Sequence, residues 1–261
     1  MTFQKKLQTA IKRNNSLLCV GLDPQQKPLF SFCKKIIDQT GDLVCAYKPN
    51  SAFFEAHGDL GIRELRKTIA YIHTKFPSVP VILDAKRGDI GSTNTGYIAL
   101  AFTYLNADAI TIHPYLGQEA NQGYLDQKEK GIIILFKTSN AGSAEFQNQE
   151  MKSKRPLYSV VAKRVATKWN KNRNCLLVVG ATYSTELKTV RRIVGDDMFI
   201  LVPGIGAQGG DLKATLKAGL NTKKSGLIVN SARGIIFAKN PRDEAVKLRD
   251  AINSYRSKAL R

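Results

Sequence analysis

The sequence is poor in the residues that build metal centres and covalent staples. Its three histidines, His57, His73 and His113, are too scattered for any familiar zinc spacing, and its four cysteines, Cys19, Cys33, Cys45 and Cys175, form no CxxC pair. Three of those cysteines sit inside apolar runs, where a small buried thiol fits. They are therefore expected to be free structural thiols, and no metal site is indicated. Also missing is any apolar run near the roughly 20 residues that a membrane-spanning helix needs. Residues 1–15 instead mix Lys5, Lys6, Lys12 and Arg13 with Phe3, Leu7 and Ile11 at helical spacing, which predicts an amphipathic first helix without secretory character. The chain is expected to be soluble and cytoplasmic, with no membrane partner.

Acidic side chains are scarce as well: 21 Asp and Glu against 40 Lys and Arg leave a formal net charge of +19. Such an excess suits either a polyanion partner or a field that gathers small anions. The basic residues are spread through most predicted helices, and no RNP-like, helix-turn-helix or zinc-finger pattern accompanies them. Solvated helix faces with some anion steering are expected, and a nucleic-acid partner is not. There is no low-complexity tract and no break in composition to mark a linker, so residues 1–261 are expected to form one large domain.

What the sequence does contain is a regular alternation. Short β-rich apolar runs occupy residues 17–23, 43–50, 79–86, 109–115, 132–139, 176–182, 198–206 and 226–233. Between them lie segments such as 61–74, 93–105, 156–169 and 211–218, whose apolar residues recur at helical spacing. Alternating strand and helix implies parallel strands with crossover helices. Near-continuous apolar strands imply burial on both faces, and eight such units predict an α/β fold of the closed (β/α)8 TIM barrel class.

A barrel of this kind carries its site where strands end and βα loops begin. The predicted ends are rich in polar residues: Asp23; Lys48 and Asn50; Asp84, Lys86 and Asp89; His113; Ser139; and Arg233. Asp84 and Lys86 are two apart on one strand, so alternation sends both side chains into the barrel. Charge buried there needs partners, which Lys48 and Asp89 can supply as an alternating Lys, Asp, Lys, Asp array. An isolated Asp-x-Lys would more often be a plain salt bridge. Here Gly88 and Gly91 flank Asp89 as in a tight turn against a ligand, and Lys48 lies at equal depth one strand away. After strand seven, Gly204, Gly206, Gly209 and Gly210 surround Gln208, and Arg233 ends strand eight, which is where barrels often hold phosphate. His113, followed by proline, reads as a packing element rather than a catalytic group.

The run Leu83-Asp84-Ala85-Lys86-Arg87-Gly88-Asp89-Ile90-Gly91-Ser92-Thr93 resembles the signature of the orotidine 5′-phosphate decarboxylase family. Val20-Gly21-Leu22-Asp23-Pro24, Tyr47-Lys48-Pro49-Asn50 and the stretch from Pro203 to Asp211 resemble that family's first-strand, second-strand and phosphate-loop motifs. Asn50 and Phe53-Phe54-Glu55, with the long stretch after strand five, resemble its second, longer bacterial subgroup. The resemblance implies a nucleotide substrate, orotidine 5′-monophosphate, decarboxylated without metal or organic cofactor. It implies Lys86 as proton donor to pyrimidine C6, Asp84 beside the leaving carboxylate, and Lys48 and Asp89 completing the relay. It also implies Gln208 and Arg233 on the phosphate, Asp23 and Thr93 on the ribose, and Ser139 on the base, with Thr138 or Asn140 as alternatives for that last role. A homodimer is implied too, with Asp89 and Thr93 entering the neighbour's site. Metal-dependent sugar-phosphate decarboxylases share the strand-three motif but need a further acidic ligand, for which Glu55 is poorly placed.

Overall fold

The computed structural model describes residues 1–206 and 210–258. The apolar runs become eight parallel strands: β1 Leu18–Leu22, β2 Ala46–Pro49, β3 Ile82–Arg87, β4 Ala109–Ile112, β5 Gly131–Lys137, β6 Cys175–Val179, β7 Ile200–Pro203 and β8 Leu227–Ser231. They pair in the order β2-β1-β8-β7-β6-β5-β4-β3, and bridges from Tyr47 to Val81 and from Asn50 to Asp84 bring the two ends together. The (β/α)8 TIM barrel expected from the sequence is the fold observed. Strands are shorter than the runs that predicted them because residues at one or both ends of those runs leave the ladder as loops. The helices Gly58–Lys75 and Leu212–Gly219 lie where periodicity placed them. The segments 93–105 and 156–169 are helical too, but each loosens in its second half into a π-helical stretch, Ala99–Tyr104 and Val165–Trp169.

Strand alternation divides the apolar residues into two layers. One set packs outward against the helices. The other, including Cys19, Ala46, Ile82, Ala109, Ile133, Leu176, Phe199 and Ile228, fills the barrel lumen. The helix Phe3–Asn14 closes the lumen at the N-terminal ends of the strands by adding Phe3 and Leu7 to that cluster. Basic residues at 5, 12 and 13 stay on its outer side, as the amphipathic reading requires, whereas Lys6 turns inward. No helix among the described residues is long and apolar enough to cross a membrane. All four cysteines are buried and free, and burial pushes the Cys19 thiol up to about 12.

The same plug is fastened by a charge cluster that sequence periodicity did not reveal. Asp108, just before β4, accepts from the Lys6 ammonium at 2.8 and 2.9 Å, from the Val81 amide at 2.8 Å, and lies 2.9 Å from His73 Nε2. Burial alone would raise its pKa, but His73 and Lys6 outweigh that and hold the carboxyl below its ordinary value. Asp108→Ala strands these donors and is expected to cost about 3 kcal/mol or more of stability, as breaking a buried ion pair does. A carboxylate with a depressed folded pKa contributes stability above the ordinary carboxylate range and loses it as pH falls through the folded value. Thermal melting should therefore show a gap between wild type and Asp108→Ala that is full at neutral pH and narrows in acid. A gap that widened in acid would contradict the assignment.

Candidate active site

Most lumen residues continue upward, two positions along the chain, into the wall of a cavity of about 400 Å³ at the C-terminal ends. Ala46 leads to Lys48, Ile82 to Asp84, Ala109 to Thr111, Ile133 to Leu135, and Ile228 to Asn230. The alternation that packs the core therefore also aims the polar residues one pleat higher.

Asp84 is the centre of the array. The Lys48 ammonium donates to Asp84 Oδ2 at 2.6 Å, the Lys86 ammonium donates to Asp84 Oδ1 at 2.6 Å, and the Thr111 hydroxyl donates to Oδ1 at 3.0 Å. Burial would raise the Asp84 pKa, but the two ammonium groups hold it well below the usual carboxylate range. Burial likewise works against a charged Lys48, yet Asp84 and Asp23 raise its pKa above the ordinary lysine value. Both partners stay ionised because each holds the other's charge. Lys48 and Asp84 side chains are only 6% and 10% exposed, whereas Lys86 is 51% exposed. Lys86 is thus the member of the array that meets whatever enters.

Its route into the cavity differs from the one alternation predicts. The β3–β4 ladder slips between Leu83 and Arg87, and Lys86 lies at φ +49°, in the left-handed region. Such a backbone costs a lysine about 1 kcal/mol or more. It is held by the Lys86 amide, which donates to Thr111 Oγ1 at 2.9 Å. Thr111 therefore supports both the backbone of Lys86 and the carboxylate of Asp84, and the strain lies at the most exposed member of the array.

Asp23 and Asn230 form the next part of the wall. Asp23 Oδ1 and Asn230 Oδ1 are buried, with no hydrogen-bond partner among the described residues. Burial raises the Asp23 pKa, against the pull of Lys48. Two acceptors left bare in a polar cavity suit a ligand that brings hydroxyl donors. At the rim Arg233 is exposed and also lines the cavity. On the adjacent strand end Gly204 and Gly206 take φ +103° and +85°, turning the chain after β7 as only glycine does without strain. Gln208 lies outside the described residues. Thr138, Ser139 and Asn140 all line the cavity, but the Thr138 hydroxyl donates to Asn140 Oδ1 at 2.6 Å, so those two side chains are occupied with each other.

Asp89 does not join the array of its own chain. Its carboxylate accepts from the Ile90 amide at 2.7 Å, and neither Asp89 nor the exposed Thr93 lines the cavity. Gly91 has open space around it, whereas a Cβ at Gly88 would meet His113 Nε2 at 2.5 Å, so only Gly88 is sterically required. His113 Nε2 lies 2.9 Å from the Gly88 carbonyl and supports that turn, which agrees with its reading as a packing element. Glu55 is paired with Arg87. Sequence reasoning passed over Thr111 and gave no role to Asn50 and Asn230, which also line the cavity. The one available signal for Thr111 was a hydroxyl inside an otherwise apolar, doubly buried strand.

Residues 16–248 match the family model described as orotidine 5′-phosphate decarboxylase / HUMPS family. An orotidine 5′-phosphate decarboxylase of Cupriavidus metallidurans is 46% identical, with 98% of this chain and 99% of that protein aligned. The structure of Leishmania donovani OMP decarboxylase superimposes with a TM-score of 0.91 at 42% identity, covering 98% of this chain and 99% of that one. Leishmania donovani UMP synthase superimposes with a TM-score of 0.93 at 44% identity; 98% of this chain is covered, but it spans only 57% of that longer protein. Matched along nearly its whole length in sequence and in fold, the chain belongs to the orotidine 5′-phosphate decarboxylase / HUMPS family.

Proposed function

We propose that the chain decarboxylates orotidine 5′-monophosphate to uridine 5′-monophosphate and carbon dioxide in de novo pyrimidine biosynthesis, as a carbon–carbon lyase using neither metal nor organic cofactor. The observation that carries this is the Lys48, Asp84, Lys86 array at the floor of a cavity rimmed by Arg233.

Breaking the bond between C6 and the carboxylate leaves an electron pair on a ring carbon with no electron sink. The Lys86 ammonium, anchored through Asp84, offers positive charge at that carbon and then its proton, an electrostatic effect that is often the largest catalytic term. Being half exposed, the resulting amine regains a proton from solvent. Asp84 lies beside the departing carboxylate, and Lys48 keeps it ionised there. Asp23 accepts from the ribose, Ser139 meets the base, and Arg233 with Gln208 takes the phosphate; their binding energy, remote from the chemistry, holds the reacting carbon in place.

The functional unit is a homodimer of one-domain subunits. Asp89 and Thr93 lie outside the wall of their own cavity, and Ile90 (59% exposed) and Tyr115 (88% exposed) leave apolar surface open to a partner. In the dimer they complete the ribose end of the neighbour's site, and Asp89 joins its charge relay. The free buried thiols fit a reducing, cytoplasmic setting.

A metal-dependent sugar-phosphate lyase would need a further acidic ligand, and Glu55 is already engaged by Arg87. Purified protein pretreated with chelator should turn over orotidine 5′-monophosphate at the untreated rate, followed as loss of orotate absorbance. Activity lost with chelator and restored by magnesium would overturn the cofactor-free reading.

A further inference from the structure

Lys137, the last residue of β5, is fully buried, yet among the described residues its partners are two neutral oxygens and an aromatic face. The ammonium donates to Ser143 Oγ and to Asn148 Oδ1, both at 3.1 Å, and sits 3.9 Å from the centroid of the Tyr183 ring. It does not line the cavity, although Leu135, two residues earlier, does. The β5–β6 ladder slips between Leu135 and Lys137, and such a slip re-aims the side chain that follows it.

The side chain is thereby turned behind the segment that carries Ser139. Ser143 and Asn148 belong to the excursion after β5, and Tyr183 to the loop after β6. Ser143 and Tyr183 hydroxyls are 2.9 Å apart, so one ammonium and one hydroxyl pair tie both loops together. Gln147, from the same excursion, grips Thr138 at both its amide and its hydroxyl, each at 2.9 Å. The Gly180 amide donates to the Lys137 carbonyl at 2.9 Å, and Gly180 packs so closely on Ser139 that a Cβ there would fall 2.7 Å from Ser139 Cα. Residues 138–140 are thus clamped between Gly180 on one side and the Lys137 network behind.

We infer that Lys137 is a positioning residue for base recognition: its buried ammonium holds the excursion after β5 so that Ser139 is presented to the pyrimidine. The inference rests on the decarboxylase reading, since it needs a ligand with a base at this end and a phosphate at the other. An ammonium at this place stays only if its protons are satisfied. A methionine of similar length fills the space but cannot bind Ser143 or Asn148. Releasing that anchor affects the base end alone, because Arg233 and Asp23 lie beyond other strands, β8 and β1.

The test compares two ligands by calorimetry, uridine 5′-monophosphate and ribose 5-phosphate, which differ only in the base. In Lys137→Met the affinity for uridine 5′-monophosphate should fall about tenfold or more, the size expected for losing a charged hydrogen-bond anchor, while ribose 5-phosphate binds within about twofold of wild type. The KM for orotidine 5′-monophosphate should rise in step. Ser143→Ala leaves the strand untouched and should reproduce the same selective loss more mildly, so it carries the test if Lys137→Met does not fold. Equal weakening of both ligands, or of neither, would reduce Lys137 to a stability role and overturn the inference. Wild-type protein that binds neither ligand would overturn the decarboxylase reading, and this inference with it.

Discussion

Lys86→Ala should turn over orotidine 5′-monophosphate about 10⁴-fold more slowly than wild type, or worse, while still binding uridine 5′-monophosphate. Lys86 is asked to supply two effects at once. Fixed positive charge at a developing carbanion is worth about 10²- to 10³-fold, and a positioned proton donor about 10²- to 10⁴-fold. Alanine removes both and leaves Asp84 facing the substrate carboxylate with only Lys48 to balance it. Product binding should survive because the phosphate and ribose contacts proposed for Arg233 and Asp23 lie beyond other strands, β8 and β1. Lys86→Arg should recover little, since a guanidinium keeps its proton at any ordinary pH and its fork does not fit the place of a single ammonium. The measurement is the orotate absorbance change under saturating substrate, with binding read separately by calorimetry. Residual turnover within about a hundredfold of wild type, in a folded variant, would remove Lys86 from the centre of the mechanism.

The barrel was legible because of how barrels are built. Strands buried on both faces read as unbroken apolar runs, and the eight runs are the eight strands. The floor of the site was legible for the same reason, since the polar residue near the end of a run, such as Lys48 or Asp84, ends up one pleat above the core. What a period of two could not convey is the slip in β3 and the left-handed turn at Lys86: the residue was correctly expected in the cavity, but it arrives by a bulge. Lys137 shows the opposite failure. Alternation from Leu135 would place it in the cavity, and the slip in β5 takes it out. Asp108 and its lock on Lys6 and His73 join residues 102 and 35 positions apart, beyond the reach of any local pattern. The same limit applies to Asp89, whose place in a single chain leaves its partner undefined.

Mixing two inactive variants is expected to restore activity, and this is the sharpest test of where Asp89 works. Asp89→Ala removes the carboxylate that the proposed neighbour contributes, and Lys86→Ala removes the proton donor that each subunit keeps for itself. In a dimer containing one of each, the site built on the Lys86→Ala subunit lacks both groups. The site on the Asp89→Ala subunit has its own Lys86 and receives Asp89 from the partner, so it is native. Random exchange makes half the dimers mixed, each with one native site of two, and activity should climb from near zero to about one quarter of wild type. The geometry favours this outcome because Asp89 is held by Ile90 and Asn94 just beyond β3, next to the exposed Ile90 and outside the wall of its own cavity. If Asp89 instead served its own subunit, the mixed dimer would hold one site without Lys86 and one without Asp89, and no native site would form. Exchange must be proven independently, for example by mass measurement of mixed dimers. Subunits that demonstrably exchange yet recover nothing would confine Asp89 to its own subunit and overturn the shared site.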